Sequence, residues 1–140
     1  MKTLHIASDH AGFSLKEEVK RDLAAQGYEL VDHGTDAVTS CDYPIFAHAL
    51  CEALLKDNAQ GILICGTGIG MSMAANRHAG IRAALCTTEL HAKQSRKHNN
   101  ANVLCLGARM TGVELAKAII QAFLATDFDG GRHERRIALI

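Results

Sequence analysis

The sequence predicts an α/β fold: a three-layer α/β/α sandwich on a five-stranded, parallel, doubly wound sheet. Three observations carry this. Short apolar runs alternate with helical patterns along all 140 residues. Those runs are nearly continuous rather than alternating, as strands covered on both faces are. And Gly61–Gly70 begins as an apolar run, ends as a glycine-rich loop, and leads into helix-compatible residues. Strand, glycine loop, helix is the order in which α/β proteins present backbone N–H groups to an anion.

The elements follow in order. Thr3–Ser8 is an apolar run that predicts the first strand. Phe13, Leu15, Val19, Leu23 and Ala24 recur at helical spacing, so Gly12–Gln26 is expected to be a helix stopped by Gly27. Tyr28–Asp32 is the second strand, followed by a polar loop. Pro44 suits a first helical turn capped by Asp42, with Phe46, Ala49, Leu50, Ala53 and Leu54 expected inward. Ile62–Cys65, Met71–Arg77, Ile81–Cys86, Glu89–Lys97, Asn102–Leu106 and Val113–Leu124 continue the alternation. A tail from Asp129 to Ile140 contains the Gly130-Gly131 break. Right-handed crossovers then give a Rossmann-like sheet, whose ligands bind at the carboxyl ends of the strands. Three of those ends carry chemistry: Asp9-His10, Cys65 with its glycine loop, and Arg109.

Composition narrows the function. Lys plus Arg number 15 and Asp plus Glu 15, so no global field draws in nucleic acid or an anionic membrane. No apolar stretch approaches the roughly 20 residues of a membrane span. Five cysteines without framework spacing, in a chain without an export signal, read as reduced thiols and a cytoplasmic location.

Gly66, Gly68 and Gly70 are spaced two apart. The dinucleotide fingerprint needs a glycine where Met71 stands, and no Lys-Ser or Lys-Thr pair follows as in a phosphate-binding P-loop. An anion-binding loop is the better reading than a plain tight turn. Cys51, Cys86 and Cys105 sit among apolar neighbours and are expected to be inert, whereas Cys65 precedes a helix N-terminus, where a thiol becomes a competent base. Eight histidines lack ligand spacing, so no metal site is expected. His98 stands at a helix C-terminus, which favours an imidazolium and suits a general acid. In the tail, Arg132 and Arg136 are spaced i, i+4 and suit a clamp on one phosphate.

Taken together these segments resemble the type B ribose-5-phosphate isomerase family, which includes galactose-6-phosphate isomerase subunits. The resemblance runs over nearly the whole chain. It rests on Ser8-Asp9-His10-Ala11-Gly12, Asp42-Tyr43-Pro44, Gly61–Gly70, Ala74-Ala75-Asn76, Gly80-Ile81-Arg82-Ala83, Ser95-Arg96 with His98-Asn99, Asn102-Val103-Leu104, Gly107 with Arg109, and Gly130-Gly131-Arg132-His133 with Arg136. It implies an aldose–ketose isomerase that needs no metal or other cofactor and acts on a sugar phosphate through a cis-enediol, with ribose 5-phosphate the first candidate substrate. Cys65 is then the base moving a proton between C1 and C2, His98 the acid opening the furanose, and Asp9 its assistant. Thr67 and the amides of Gly66, Gly68, Ile69 and Gly70 hold the enediolate. His10, Arg132 and Arg136 hold the phosphate, with Arg109 a further candidate; Tyr43 and Asn99 contact the sugar.

The resemblance further implies a homodimer, or a dimer of dimers, with shared sites. His98, Asn99 and Arg109 would come from the neighbouring chain, and the tail, residues 129–140, would pack on the partner. Val38–Cys41 and Met71 are where substrate length could be tuned, and a tail ending four residues after Arg136 could alter the dimer contact. Two other readings are kept: isomerisation of another sugar phosphate (allose 6-phosphate, galactose 6-phosphate or erythrulose 4-phosphate), and a nucleotide-binding regulatory module using the loop without chemistry.

Overall fold

A computed structural model describes residues 2–140. Its five strands are β1 (Thr3–Ser8), β2 (Glu29–Asp32), β3 (Gln60–Cys65), β4 (Ala83–Leu85) and β5 (Val103–Gly107), all parallel in the order β2-β1-β3-β5-β4. The helices are α1 (Phe13–Ala25), α2 (Tyr43–Asp57), α3 (Ile69–Ala75), α4 (Glu89–Asn99), α5 (Val113–Ala125) and α6 (Arg132–Ile137).

The sheet divides two cores. Successive strand residues point to opposite faces, and β3 shows it cleanly. Ile62 and Ile64 pack with Leu15, Val19 and Leu23 of α1 and with Ile119 and Phe123 of α5. Leu63 and Cys65 pack on the other side with Leu50, Cys51 and Leu54 of α2 and Met71 of α3. A continuous apolar run was the right signature, because both faces of β3 are covered.

Several boundaries differ from the sequence reading. On α2 the fully buried stripe is Ala47, Leu50, Cys51 and Leu54, while Phe46, Ala49 and Ala53 are only partly covered. The stripe is rotated because the i, i+3, i+4, i+7 set containing Ala47 and Cys51 faces β3. Helix α3 starts two residues early, since Gly68 at φ +81° turns the chain directly into it. Strand β4 is only three residues long. Asn76 ends the element before it, accepting from Ala83 N–H at 2.8 Å and donating to Ala83 O at 3.0 Å. The tail holds a helical turn, α6, entered through Gly130 and Gly131, both at positive φ.

Strand order fixes the site. The chain moves from β1 outward to β2, then returns to place β3 on the other side of β1. Strand direction of travel therefore reverses between β1 and β3, and ligands bind at the carboxyl ends beside such a reversal.

Candidate active site

The register pairs Ser8 with Ile64, so Asp9 and Cys65 leave the sheet side by side. Asp9 N–H donates to Ile64 O at 3.2 Å, and Gly12 N–H donates to Asp9 Oδ1 at 3.1 Å. Gly12 has no room for a side chain, since a Cβ there would stand 2.5 Å from Ile64 O. That approach locks the loop after β1 onto the end of β3.

Cys65 is 5% exposed, and its Sγ accepts the Gly68 N–H at 3.2 Å. The thiol thus faces the amides that open α3. Thr67 Oγ1 accepts from Ile69 N–H at 3.3 Å, shaping the turn. Tyr43 closes one side: a Cβ on Gly70 would lie 2.5 Å from the Tyr43 ring. Arg109 closes another, its Nη1 3.2 Å from where a Gly66 Cβ would be. Arg109 N–H also donates to Gly66 O at 3.0 Å. Within one chain Arg109 therefore borders the glycine loop that follows Cys65. The reason is register: β5 pairs with β3, with Gly107 opposite Cys65.

His10 is positioned by a residue the sequence reading did not use for this purpose. Cys41 N–H donates to His10 Nδ1 at 3.3 Å, with Cys41 Sγ 3.8 Å from the same nitrogen. Nδ1 is an acceptor, so Nε2 carries the proton and is the free donor. No local pattern announces a contact that spans 31 residues.

The other cysteines are buried in the two cores. Burial pushes Cys51 up to about 12 and Cys86 up to about 11, and Cys105 well above the ordinary thiol range. Burial thus disfavours the thiolate form of all three.

The remaining candidates lie elsewhere. Helix α4 begins after the carboxyl end of β4 and runs back against the strands, so His98 and Asn99 in its last turn lie at the amino-terminal edge of the sheet. Eleven residues rise about 16 Å. Helix α5 makes the same return, so α6 is delivered to that edge too. Arg96 Nε donates to Thr126 O at 3.0 Å, and Asp129 N–H donates to Lys97 O at 3.0 Å, which bind the tail to α4.

A second cluster forms there: His98, Asp129 and His133, with Arg132 and Arg136 close enough to act on the His133 charge. The rings of His98 and His133 stack with centroids 4.4 Å apart at 16°. Burial, then His98, Arg132 and Arg136, hold His133 below the ordinary imidazole range. One atom from each of His98, Asp129 and His133 falls within 4.8 Å of the others, a donor set the sequence spacing did not suggest. Within one chain, then, His10 and Cys65 are at one end of the sheet and His98, Arg132 and Arg136 at the other.

A thiol thus accepts a helix-opening amide at the reversal point of a doubly wound sheet, the place where α/β proteins of this class bind their ligands. A family described as Ribose/Galactose Isomerase matches residues 4–140, and the chain belongs to that family. Ribose-5-phosphate isomerase B of Escherichia coli strain K12 is 45% identical over 141 aligned positions, covering 100% of this chain and 95% of the relative. A ribose 5-phosphate isomerase structure from Thermotoga maritima superposes with a TM-score of 0.97 at 54% identity, covering 99% and 96% of the two chains. Ribose-5-phosphate isomerase B from Mycoplasma genitalium with bound ribulose-5-phosphate has a TM-score of 0.94 at 41% identity, covering 98% and 92%. No helix among the described residues is long and apolar enough to cross a membrane.

Proposed function

We propose that this chain interconverts ribose 5-phosphate and ribulose 5-phosphate through a cis-enediol, in a site shared between two copies. The observation that carries it is the Gly68 N–H donating to Cys65 Sγ at the mouth of α3. It puts the base and the oxyanion donors on one loop, where proton abstraction beside a carbonyl needs both. The family membership and the named relatives support the substrate.

His98 of a second copy, assisted by Asp9, protonates the ring oxygen and opens the furanose. Cys65, as thiolate, takes the C2 proton of the open aldose; the electrons move through C1 to the carbonyl oxygen and form the enediolate. Thr67 and the amides of Gly66, Gly68, Ile69 and Gly70 stabilise that charge, each donor contributing on the order of 3 kcal/mol in such sites. A proton passes from O2 to O1 of the enediolate, the thiol returns its proton to C1, and C2=O of the ketose forms. His10 Nε2–H meets the phosphate with Arg132 and Arg136 as a fork, while Arg109, Tyr43 and Asn99 bound the sugar. The separation of the two clusters supports a composite site, because one chain cannot bring His98 to its own Cys65. We read the assembly as a homodimer, or a dimer of dimers, with residues 129–140 packing on the partner. Five free cysteines suit a cytoplasmic enzyme.

The test is turnover by the purified protein, following ketose formation by NMR from ribose 5-phosphate beside allose 6-phosphate, galactose 6-phosphate and erythrulose 4-phosphate. Ribose 5-phosphate should give the highest kcat/KM. No turnover of any of them overturns the reading; a preference for another replaces only the substrate.

A further inference from the structure

We propose that His98, Asp129 and His133 form a site for a divalent transition-metal ion of zinc's chemistry, and that its occupancy takes His98 out of the reaction. The three offer two imidazole nitrogens and a carboxylate oxygen, all mutually within 4.8 Å. Zinc takes such N and O donors at about 2.0–2.2 Å, leaving a fourth position for water. Binding one tetrahedral ion requires the two rings to turn out of their stack so that both lone pairs converge on it.

The pairing of histidines across the chain singles this group out. His5 and His33 spend a ring nitrogen each on the other at 2.8 Å, and His48 and His78 do the same at 2.7 Å. His98 and His133 instead stack face to face at 4.4 Å, with no side-chain hydrogen bond among the described residues. Their nitrogens are therefore free to turn toward Asp129. The backbone holds all three near one another. Asp129 N–H is tied to Lys97 O at 3.0 Å, beside His98, and His133 N–H to Gly130 O at 3.2 Å. Gly130 and Gly131, at φ +69° and +59°, fold residue 133 back over residue 129.

Arg132 and Arg136 share α6 and oppose any cation. That repulsion excludes hard ions, which gain little from imidazole, and leaves zinc, nickel or copper, whose bonds to nitrogen are strong enough to offset it. The site is an inhibitory one. Its catalytic consequence rests on the role given to His98 above, but the ion's binding does not.

The experiment titrates zinc into the intact protein against a chromogenic chelator, in phosphate-free neutral buffer without substrate. The expected result is one zinc per chain, retained in Cys41→Ser, weakened about tenfold or more in His133→Gln and several-fold in Asp129→Asn. Excess Mg2+ should not displace it. Asp129 is exposed, so Asp129→Asn keeps the test meaningful even where His133→Gln disturbs folding. Unchanged affinity in both variants, or loss of binding in Cys41→Ser, overturns the site. Because binding is read without turnover, a failed isomerase assay and a failed zinc site are separate results. Slowed turnover in step with zinc occupancy supports the loss of His98; full turnover with zinc bound overturns that part.

Discussion

The backbone N–H of Cys41 donates to Nδ1 of His10 over 3.3 Å. The bond fixes the imidazole tautomer and leaves Nε2–H free to donate. Because the donor is main chain, Cys41→Ala should keep KM for the sugar phosphate within about twofold. His10→Ala should raise it tenfold or more, the loss of roughly one charge-assisted hydrogen bond. Steady-state kinetics separates the two; equal effects would show that the thiol, not the amide, positions His10.

Removing the base should spare binding. Cys65→Ala is expected to lower kcat by about 10³-fold, within the range of general-base contributions, with little change in phosphate affinity. Single-turnover exchange of the C2 hydrogen with solvent deuterium reads the step directly. Retained exchange would move the base elsewhere.

The opposite placement of Cys65 and His98 within one chain predicts complementation. Cys65→Ala and His98→Gln should each be nearly inactive. Mixed and allowed to exchange subunits, they form heterodimers with one intact site, so activity should recover to about a quarter of wild type for random pairing in a symmetric dimer. No recovery, with exchange verified by mass spectrometry, rules out sharing.

Gly68 is required twice, for φ +81° and for space, since a Cβ would stand 2.5 Å from Leu85 Cδ1 and 3.0 Å from the Leu106 carbonyl carbon. Gly68→Ala should cost about 2–3 kcal/mol and lower kcat by moving the amide that faces Cys65. Gly27 has a similar φ of +94° with open space around it, so Gly27→Ala isolates the dihedral cost, about 1 kcal/mol. Equal urea midpoints for the two variants would remove the packing argument.

Lys16, 1% exposed, bonds Asp32 at 2.8 and 2.9 Å. Burial alone would raise the Asp32 carboxyl, but hydrogen bonds from Lys16, Lys20 and Gly34 N–H outweigh it and hold it below the ordinary value. The folded state therefore binds its proton more weakly than the unfolded chain. Its stabilisation is complete above the unfolded value, about 3.9, and is lost as pH falls through the lower folded one. Asp32→Asn should cost about 2–3 kcal/mol at pH 7 by leaving Lys16 without a counter-charge, and should flatten the urea midpoint's dependence on pH below about 4. An unchanged acid limb would assign it to other groups.

The placement of much of the candidate site was legible locally. Asp9, Cys65, Thr67 and the glycines follow strands whose apolar runs are unmistakable, and each lies at a strand's carboxyl end as the alternation requires. The inward face of α2 was misjudged because alanines and cysteines are small enough to suit either side of a helix. That Arg109 borders the Gly66 loop follows from β5 lying against β3, which nothing near it in sequence tells. The contact of Cys41 with His10 and the stacking of His133 on His98 join segments that no period connects.

By itself the sequence determined the alternation of strands and helices, the glycine loop at the end of β3, and the thiol at its mouth, because these are short-range: apolar periodicity, turn residues and the chirality of L-amino acids. The tertiary structure alone decided that β3 returns to the side of β1, so that Asp9 leaves the sheet beside Cys65, and that His98 and the tail arginines gather at the far edge. Those outcomes depend on which faces bury one another across the sheet, a non-local free energy that no window of the chain contains.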